Sequence, residues 1–501
     1  MNLLKHYLSR TNEDNQDLSA ISFLAGIDHI SRHSSTVAEA ILDELRSQRS
    51  NLKLIASENY CSLAVQLAMG NLLTDKYSEG FIKHRFYAGC ENVDRVEEKA
   101  VNHLKEIFGC DYAYVQPHSG ADANLVAFWA IIVQKIQSKE VEKLSKKNVN
   151  ELSKEEYEAI RQLMVNQTLM GMGLNAGGHL THGFRHNVSS KMMRAVAYDV
   201  DSKSHLLDYN EIEKMAIKER PLILTVGYSA YSRLIDFSIM RMIADKVGAV
   251  LLVDMAHFAG LVAGGVFTGV YNPVPYADIL TSTTHKTMRG PRGGMILAKK
   301  EFQDVLDKGC PLILGGPLPH VMASKAIAFE EALRPKFKLY AHQIVKNSKA
   351  LAEELVRMGA KVITGGTDNH LMIIDVEKSY GLTGRQAELA LLDAHLTVNR
   401  NTIPFDQNGA WYCSGIRIGT PALTTLGMKE DEMKEVAKLI HRLLTHTVRS
   451  KNSNTGKESL ARFKTEEKIL QEVRERALNL LEKHPLYPQL LLDEPASSHV
   501  S

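Results

Sequence analysis

Two segments carry the residue types of a covalent cofactor site. One is Thr281-Ser282-Thr283-Thr284-His285-Lys286-Thr287, hydroxyl residues leading to a lysine. The other lies about one strand–crossover–strand unit upstream, where the apolar run Ala249-Val250-Leu251-Leu252-Val253 ends in Asp254 and is followed by His257. Lys286 follows an expected strand and has no acidic neighbour in sequence to solvate it. A desolvated amine has a lowered pKa and is a nucleophile toward an aldehyde. Asp254, at the C-terminal end of a buried strand, points into the crevice where open α/β sheets bind ligands. A carboxylate there keeps a pyridine nitrogen protonated, although the same position also suits the N-cap of a following helix. A lysine for a Schiff base and an aspartate for a ring nitrogen are what pyridoxal 5'-phosphate (PLP) requires of a protein.

Two further requirements have candidates. Pro117-His118-Ser119-Gly120-Ala121-Asp122 follows the strand-like Tyr112–Val115 and opens an apolar helix, so its free N–H groups and the Ser119 hydroxyl form an anion site. An ordinary capped helix reads the same way locally. In Ser414-Gly415-Ile416-Arg417-Ile418-Gly419, Arg417 sits between apolar residues on an expected strand and needs an anion: a substrate carboxylate, or an internal salt bridge.

These groups must be held by a large α/β framework. From about residue 90 to 330, helical patterns alternate with short β-rich runs (112–115, 195–198, 222–226, 250–253 and 279–281), which predicts a mostly parallel sheet covered on both faces. A helical stretch, 321–358, then leads to a smaller α/β domain. The expected division is an N-terminal extension and arm (1–75), a large PLP-binding domain (76–328), a small C-terminal domain (329–485) and a disordered tail (486–501). Residues 1–30 show little periodicity. A helix is expected to start near Ser35 or Thr36 and to turn Ile41, Leu42 and Leu45 inward. The Lys-, Glu- and Ser-rich segment 134–165 reads as one or two exposed amphipathic helices inserted in the large domain, a solvated surface or a partner-docking element.

The 501 residues, 44% hydrophobic and 24% charged, have the make-up of an ordinary globular protein of two or three domains. A net charge of +2 argues against a nucleic-acid surface. The sequence has no run long enough to span a bilayer and no apolar signal segment near Met1. Five single cysteines without a CxxC pair suit a reducing cytoplasm and give no metal site.

Taken together, the motifs resemble serine hydroxymethyltransferase, a fold-type I PLP-dependent transferase. The resemblance covers about residues 35–485. It is carried by Leu54-Ile55-Ala56-Ser57-Glu58-Asn59-Tyr60, Asp75-Lys76-Tyr77-Ser78-Glu79-Gly80, Gly177-Gly178-His179-Leu180-Thr181-His182-Gly183 and Tyr228-Ser229-Ala230-Tyr231-Ser232, besides the segments around Asp254, Lys286 and Arg417. Further matches are Gly290-Pro291-Arg292-Gly293-Gly294 and Gly365-Gly366-Thr367-Asp368-Asn369-His370.

The resemblance implies Lys286 as the Schiff-base lysine, Asp254 as partner of the ring nitrogen and His179 stacked on the ring. It implies Ser119, Gly120 and Ala121 at the phosphate, joined by Tyr77 and Gly316 of another subunit, with Ser229 and His257 at the phenolic oxygen. Ser57, Tyr87 and Arg417 would orient the amino acid's carboxylate, and His285 and Thr283 would flank the reacting centre. Glu79, also from the neighbouring subunit, would transfer the proton at the serine hydroxyl and folate. Leu174, Gly178, His179, Leu180 and Asn401 would contact the folate. The implied activity is reversible transfer of serine's hydroxymethyl group to tetrahydrofolate, giving glycine and 5,10-methylenetetrahydrofolate, in a cytoplasmic homodimer with shared sites, or a tetramer. A folate-independent aldolase acting on threonine or allo-threonine, or an alanine racemase, is the alternative on the same fold. A non-enzymatic interaction protein docking through 134–165 is a further one.

Departures from the family pattern are the 134–165 insertion, Phe86 in place of a second tyrosine, the apolar Pro311-Leu312-Ile313-Leu314 before Gly315-Gly316, and Gly409-Ala410-Trp411 near the expected folate pocket. They bear on folate rather than on the carbon–carbon chemistry.

Overall fold

The computed structural model describes residues 1–451 and 456–492. Among them a seven-stranded sheet organises the larger core. Its strands are β1 (Tyr112–Tyr114), β2 (Thr168–Met172), β3 (Arg194–Tyr198), β4 (Ile223–Gly227), β5 (Val250–Asp254), β6 (Ile279–Thr283) and β7 (Gly294–Ala298). All but β3 are buried along their whole length. That burial explains why they read as unbroken apolar runs rather than alternating ones. The order is β1-β7-β6-β5-β4-β2-β3. Only β7 runs against its neighbours, pairing antiparallel with both β1 and β6. The expected mostly parallel α/β sheet is therefore present. Two of its strands, β2 and β7, were not singled out in sequence, because Thr-Leu-Met-Gly-Met and Gly-Met-Ile-Leu-Ala are poor in β-branched residues.

The N-terminal segment differs from its expectation. Residues 1–30 fold largely into α1 (Leu3–Arg10) and α2 (Leu18–His33), followed by α3 (Ser35–Ser50). Asp17 caps α2 and Ser34 caps α3, each side chain accepting backbone N–H groups of the first turn. Leu42 and Leu45 turn inward on α3, whereas Ile41 is 37% exposed. The apolar face of α1 and α2 was hard to read because it packs on residues from the far end of the chain: Tyr7, Ala20 and Leu24 share a core with Leu486 and Leu490. Arg49 donates hydrogen bonds to the carbonyls of Leu486, Tyr487 and Leu490. Residues 486–492 are thus packed, contrary to the expected tail; residues 493–501 lie outside the described residues.

α4 (Glu91–Phe108) precedes β1, and α5 (Gly120–Ile132) follows it. α5 continues through a π-helical turn, Val133–Gln137, into α6 (Ser138–Lys143), and α7 (Lys154–Val165) completes the inserted segment behind a Ser153/Glu156 capping box. The expected single helical stretch 321–358 is two helices, α8 (Pro319–Ala332) and α9 (Pro335–Arg357). Pro335 supplies no N–H and forces Arg334 into an extended conformation, ψ 146°, so the helix breaks there.

Beyond α9 an antiparallel sheet contains β8 (Lys361–Val362), β9 (Leu371–Asp375), β10 (Asn399–Asn401) and β11 (Gly415–Gly419), in the order β8-β9-β11-β10. With α9, α10 (Glu430–Thr445) and α11 (Glu467–Lys483) it encloses a second core, which includes Leu351, Ile374, Ile416, Leu443 and Leu481. Leu52 and Leu54 join this core, because Leu52–Lys53 pairs in parallel with Leu396–Thr397. No helix among the described residues is long and apolar enough to cross a membrane.

The sheet leaves no room at the base of the crevice. Gly227 at the end of β4 has φ 147°, and a Cβ there would lie 2.1 Å from the Asp254 carbonyl oxygen. Gly227→Ala should therefore destabilise the fold by about 2–4 kcal/mol. Gly26→Ala on α2, where a Cβ meets nothing within 4 Å, should stabilise it by about 0.5–1 kcal/mol. Thermal unfolding midpoints of the two variants check both signs.

Candidate active site

β5 and β6 end side by side, which brings Asp254 opposite Thr281 in register. The chain then turns through Thr283–Thr287 and delivers Lys286 to the same crevice. Together with Ser119, Gly120, His179, Ser229 and His257, Asp254 and Lys286 line a cleft of about 210 Å³ that also includes Ala121, Thr283, His285 and Arg292. Most of the expected cofactor residues, scattered from 119 to 286, thus converge on one cleft.

The carboxylate of Asp254 is 7% exposed as a residue and surrounded by donors. Its Oδ2 accepts from Asn124 Nδ2 at 2.9 Å and from His182 Nε2 at 3.0 Å, and its Oδ1 accepts from the Ala256 N–H at 3.1 Å. The His179 N–H donates to His182 Nδ1 at 3.3 Å, so the proton of that ring is on Nε2, aimed at Asp254. Burial alone would raise the Asp254 carboxyl. The hydrogen bond from His182, the favourable electrostatics of the neighbouring His182 and His179 rings, and the Asn124 amide outweigh it and hold the group well below the usual carboxylate range. Asp254 is an anion at neutral pH, as a partner for a protonated ring nitrogen must be. It does not serve as an N-cap in this structure.

Lys286 is buried, and among the described residues its amine makes no hydrogen bond. Burial pushes its pKa from 10.5 down to about 8; Asp254 opposes the shift, and Arg417 and Arg292 add to it. The amine is therefore readily available in its neutral, nucleophilic form. Burial likewise lowers His179 to about 4, His285 to about 3 and His370 to about 3. His257 faces His370 at 3.1 Å between ring nitrogens, and burial drives it well below its ordinary value. These rings are neutral at pH 7, suited to stacking and hydrogen bonding rather than to carrying charge.

At the N-terminus of α5, Ser119 is the helix cap, its hydroxyl accepting the Asp122 N–H. The N–H groups of Gly120 and Ala121 have no partner among the described residues and face the cleft. Cap and anion cup therefore coexist. The walls are close: a Cβ on Gly120 would lie 2.7 Å from Thr283 Cγ2, and one on Gly294 would lie 2.1 Å from the Ser119 carbonyl oxygen. Free amide donors, a buried anion, an unpartnered buried amine and an unpartnered Nδ1 on His285 meet in this cleft. They fit the phosphate, ring nitrogen and aldehyde of PLP.

Arg417 reaches the site from β11. It donates to the Ser229 carbonyl at 2.6 Å and to Asn399 Oδ1 at 3.2 Å, and burial lowers it to about 10. It has no carboxylate partner among the described residues, so the internal salt bridge is not what holds it. Ser57 borders a wider cleft of about 940 Å³ that shares His285 and Arg292 with the inner one.

Four expected site residues gather elsewhere in the chain. The Tyr87 hydroxyl donates to Glu79 at 3.4 Å, and the Tyr77 and Tyr87 rings lie 5.4 Å apart. A Cβ on Gly316 would lie 3.0 Å from the Tyr77 ring. None of the four lines the Lys286 cleft. Tyr87 therefore sits with Glu79 and not with Arg417. Leu174 and Gly178 flank a tight turn, Leu180 is 45% exposed, and Asn401 lies on β10 with its amide donating to the Thr402 carbonyl.

His182, Asn124, Thr181 and His370 also belong to this network, though no sequence pattern assigns them a role. The sequence signal for Asn124 is an amide inside a helix that is apolar beyond its first turn. It binds Asp254 and Thr181, and Thr181 binds His179.

The Lys286 amine yields a stability test. Its folded-state pKa of about 8 lies below the ordinary 10.5. In the cofactor-free protein the ammonium costs the fold about 3 kcal/mol below pH ~8, and this cost disappears as pH rises toward ~10.5. Cofactor-free Lys286→Met should melt above the wild type at neutral pH, with the gap narrowing in alkali. A gap that ignores pH would show that the amine is not desolvated.

Known proteins resemble the chain over nearly its whole length. The family model described as serine hydroxymethyltransferase matches residues 30–139 and 140–440. A serine hydroxymethyltransferase of Treponema pallidum (strain Nichols) is 55% identical over 98% of this chain and 85% of its own length. One from Chlamydia trachomatis serovar D is 52% identical over 98% of this chain and 99% of its own. One from Chlamydia abortus is 51% identical over the same shares.

Proposed function

The chain belongs to the serine hydroxymethyltransferase family, and we propose on that premise how its residues divide the work. The activity is the reversible transfer of serine's hydroxymethyl group to tetrahydrofolate, giving glycine and 5,10-methylenetetrahydrofolate, with PLP as cofactor. The relatives support this transferase and not a folate-independent aldolase or racemase. The fold is that of a fold-type I enzyme.

PLP, when bound, supplies the electron sink for the pair released as serine's Cα–Cβ bond breaks. Lys286 is the amine that would hold it, and Asp254 keeps the ring-nitrogen end of the cleft negative. Asn124 and His182 keep Asp254 ionised and fixed in direction. Gly120 and Ala121 would offer their free N–H groups to the phosphate, His179, neutral and half-buried, would hold the ring, and Ser229 and His257 would hold its phenolic oxygen. Arg417 holds the substrate carboxylate as a bidentate partner, with Ser57 beside it, and so decides which Cα bond is aligned for cleavage. Thr283 and His285 close the reacting centre.

Tyr77, Glu79, Tyr87 and Gly316 act in a neighbouring copy of the chain, so that the smallest active unit is a homodimer. The observation that carries this is their gathering around Glu79, away from Lys286 and partly exposed, Tyr77 at 58% and Tyr87 at 46%. Glu79 moves the proton at the serine hydroxyl and folate. Leu174, Gly178, Leu180 and Asn401 line the approach of the folate. The five free thiols suit a reducing interior, and we place the enzyme in the cytoplasm.

Lys286→Ala should abolish turnover on added serine while leaving the fold intact; sustained turnover by this variant would refute the lysine's role. Glu79→Gln and Lys286→Ala, each inactive alone, should regain activity when co-refolded, with about a quarter of all sites intact if the residues act across a two-fold interface. Absence of any recovery in verified mixed dimers would place both residues in one chain's site. Adding glycine and then tetrahydrofolate to the PLP-loaded wild type should produce a long-wavelength visible band strengthened by the folate. A band indifferent to folate would favour the aldolase or racemase instead.

A further inference from the structure

Beneath the cofactor cleft lies a buried polar cluster to which the chemistry above assigns no role. Glu97, on α4, is 2% exposed, and Gln116, just beyond β1, is 1% exposed. Gln116 Nε2 donates to Glu97 Oε1 at 2.9 Å and to the Gly80 carbonyl at 2.9 Å, and its Oε1 accepts the Tyr114 hydroxyl at 2.9 Å. Both N–H bonds of the Gln116 amide are thus used, and its oxygen accepts one hydrogen bond. The other Glu97 oxygen accepts from Arg85, whose side chain is 3% exposed. Arg85 donates in turn to the Ser78 carbonyl at 3.0 Å and the Gly80 carbonyl at 3.1 Å.

The backbone acceptors of this cluster lie on both sides of Glu79. The Ser78 carbonyl precedes it and the Gly80 carbonyl follows it, and the Glu79 carbonyl itself accepts the Phe86 N–H at 3.0 Å. Among the described residues the Glu79 carboxyl has one hydrogen bond, accepted from the Tyr87 hydroxyl at 3.4 Å. Its direction is therefore set by the backbone and not by side-chain partners.

The other end of the cluster is equally fixed. Lys325, on α8 and 1% exposed, donates to the carbonyls of Val115 (2.6 Å), Pro117 (2.9 Å) and Gly294 (2.9 Å), which uses all three N–H bonds of an ammonium. Val115 and Pro117 are the neighbours of Gln116, and Pro117 leads directly to the cup at Ser119. One chain of buried hydrogen bonds therefore runs from the floor of the phosphate cup to the peptide units flanking Glu79.

We propose that Glu97 and Gln116 are positioning residues for Glu79: they fix the backbone that aims its carboxyl, using the strand end pinned by Lys325 as the reference point. The proposal rests on the reading of Glu79 as the proton-transferring group at the serine hydroxyl and folate. Neither Glu97 nor Gln116 touches substrate or cofactor. A displaced carboxylate loses rate without losing substrate, because proton transfer requires close alignment while serine is held by other groups.

The test uses PLP-loaded enzyme and two reactions: serine with tetrahydrofolate, and folate-free racemisation of alanine, whose side chain has no hydroxyl proton for Glu79 to move. Glu97→Gln and Gln116→Met should each lower the ratio of the first kcat to the second by about tenfold or more, with the KM for serine within about threefold of wild type. Glu79→Gln, run in parallel, should lower the same ratio. A merely structural role would lower both reactions together and leave the ratio unchanged. If Glu97→Gln fails to fold, Arg85→Met/Glu97→Met removes the buried Arg85–Glu97 pair at once and leaves Asp94, 17% exposed, with the Lys83 N–H; its ratio should still fall. A wild-type ratio in folded Glu97 and Gln116 variants, with Glu79→Gln impaired, would overturn the positioning role alone. A wild-type ratio in Glu79→Gln itself would overturn the reading of Glu79 and the proposal with it.

Discussion

A carboxylate kept charged inside the protein is the constraint on which the rest of this structure depends. Removing an ion from water is costly unless donors replace the lost hydration. Asp254, at the end of β5, meets that demand through the Asn124 amide, the His182 imidazole and the Ala256 N–H. Each donor commits a different part of the chain. Asn124 fixes the first turns of α5 and hence the amides of Gly120 and Ala121. His182 fixes the turn that carries His179. The adjoining strand, β6, then carries the chain on to Lys286. A single buried charge thus explains the convergence of segments far apart in sequence.

The small antiparallel sheet completes the site through a second charge. Arg417 extends from β11 to the Ser229 carbonyl, and Asn369 reaches back from its side of the crevice to the Tyr228 hydroxyl and the Tyr231 carbonyl. Arg233 adds an ion pair to Asp368. The buried guanidinium of Arg417 on one sheet and the buried amine of Lys286 at the other stay near one crevice only if the two sheets keep a fixed relation. These polar contacts supply the specific geometry that apolar packing alone does not.

Below the crevice, Lys325 and the Arg85–Glu97 pair show the same economy of design. Each buried charge is matched by acceptors or by an opposite charge, and the acceptors are main-chain carbonyls next to functional residues. Charges in these places cost stability that hydrophobic residues of similar size would not. Their worth lies in fixing backbone positions that a uniformly apolar core would leave free to slide.

The sequence by itself determined the chemistry and much of the framework. Lys286 after a hydroxyl-rich strand end, Asp254 at the end of an apolar run and Ser119-Gly120 at a helix start are local patterns, each with a local physical cause, so they were legible without a structure. The parallel strands were legible for the same reason, since full burial writes itself as an unbroken apolar run. Tertiary structure decided what depends on partners distant in the chain. The α1–α2 face was obscure because its partners are Leu486 and Leu490. Arg417 could have ended in a salt bridge, and only the fold shows that it meets Ser229 and Asn399 instead. The same is true of Tyr87, which spacing alone could not assign to Glu79, and of His182 and Asn124, whose roles exist only once Asp254 lies beside them. Local propensity records what a residue's neighbours in sequence impose; burial, charge compensation and hydrogen-bond partnership are properties of neighbours in space.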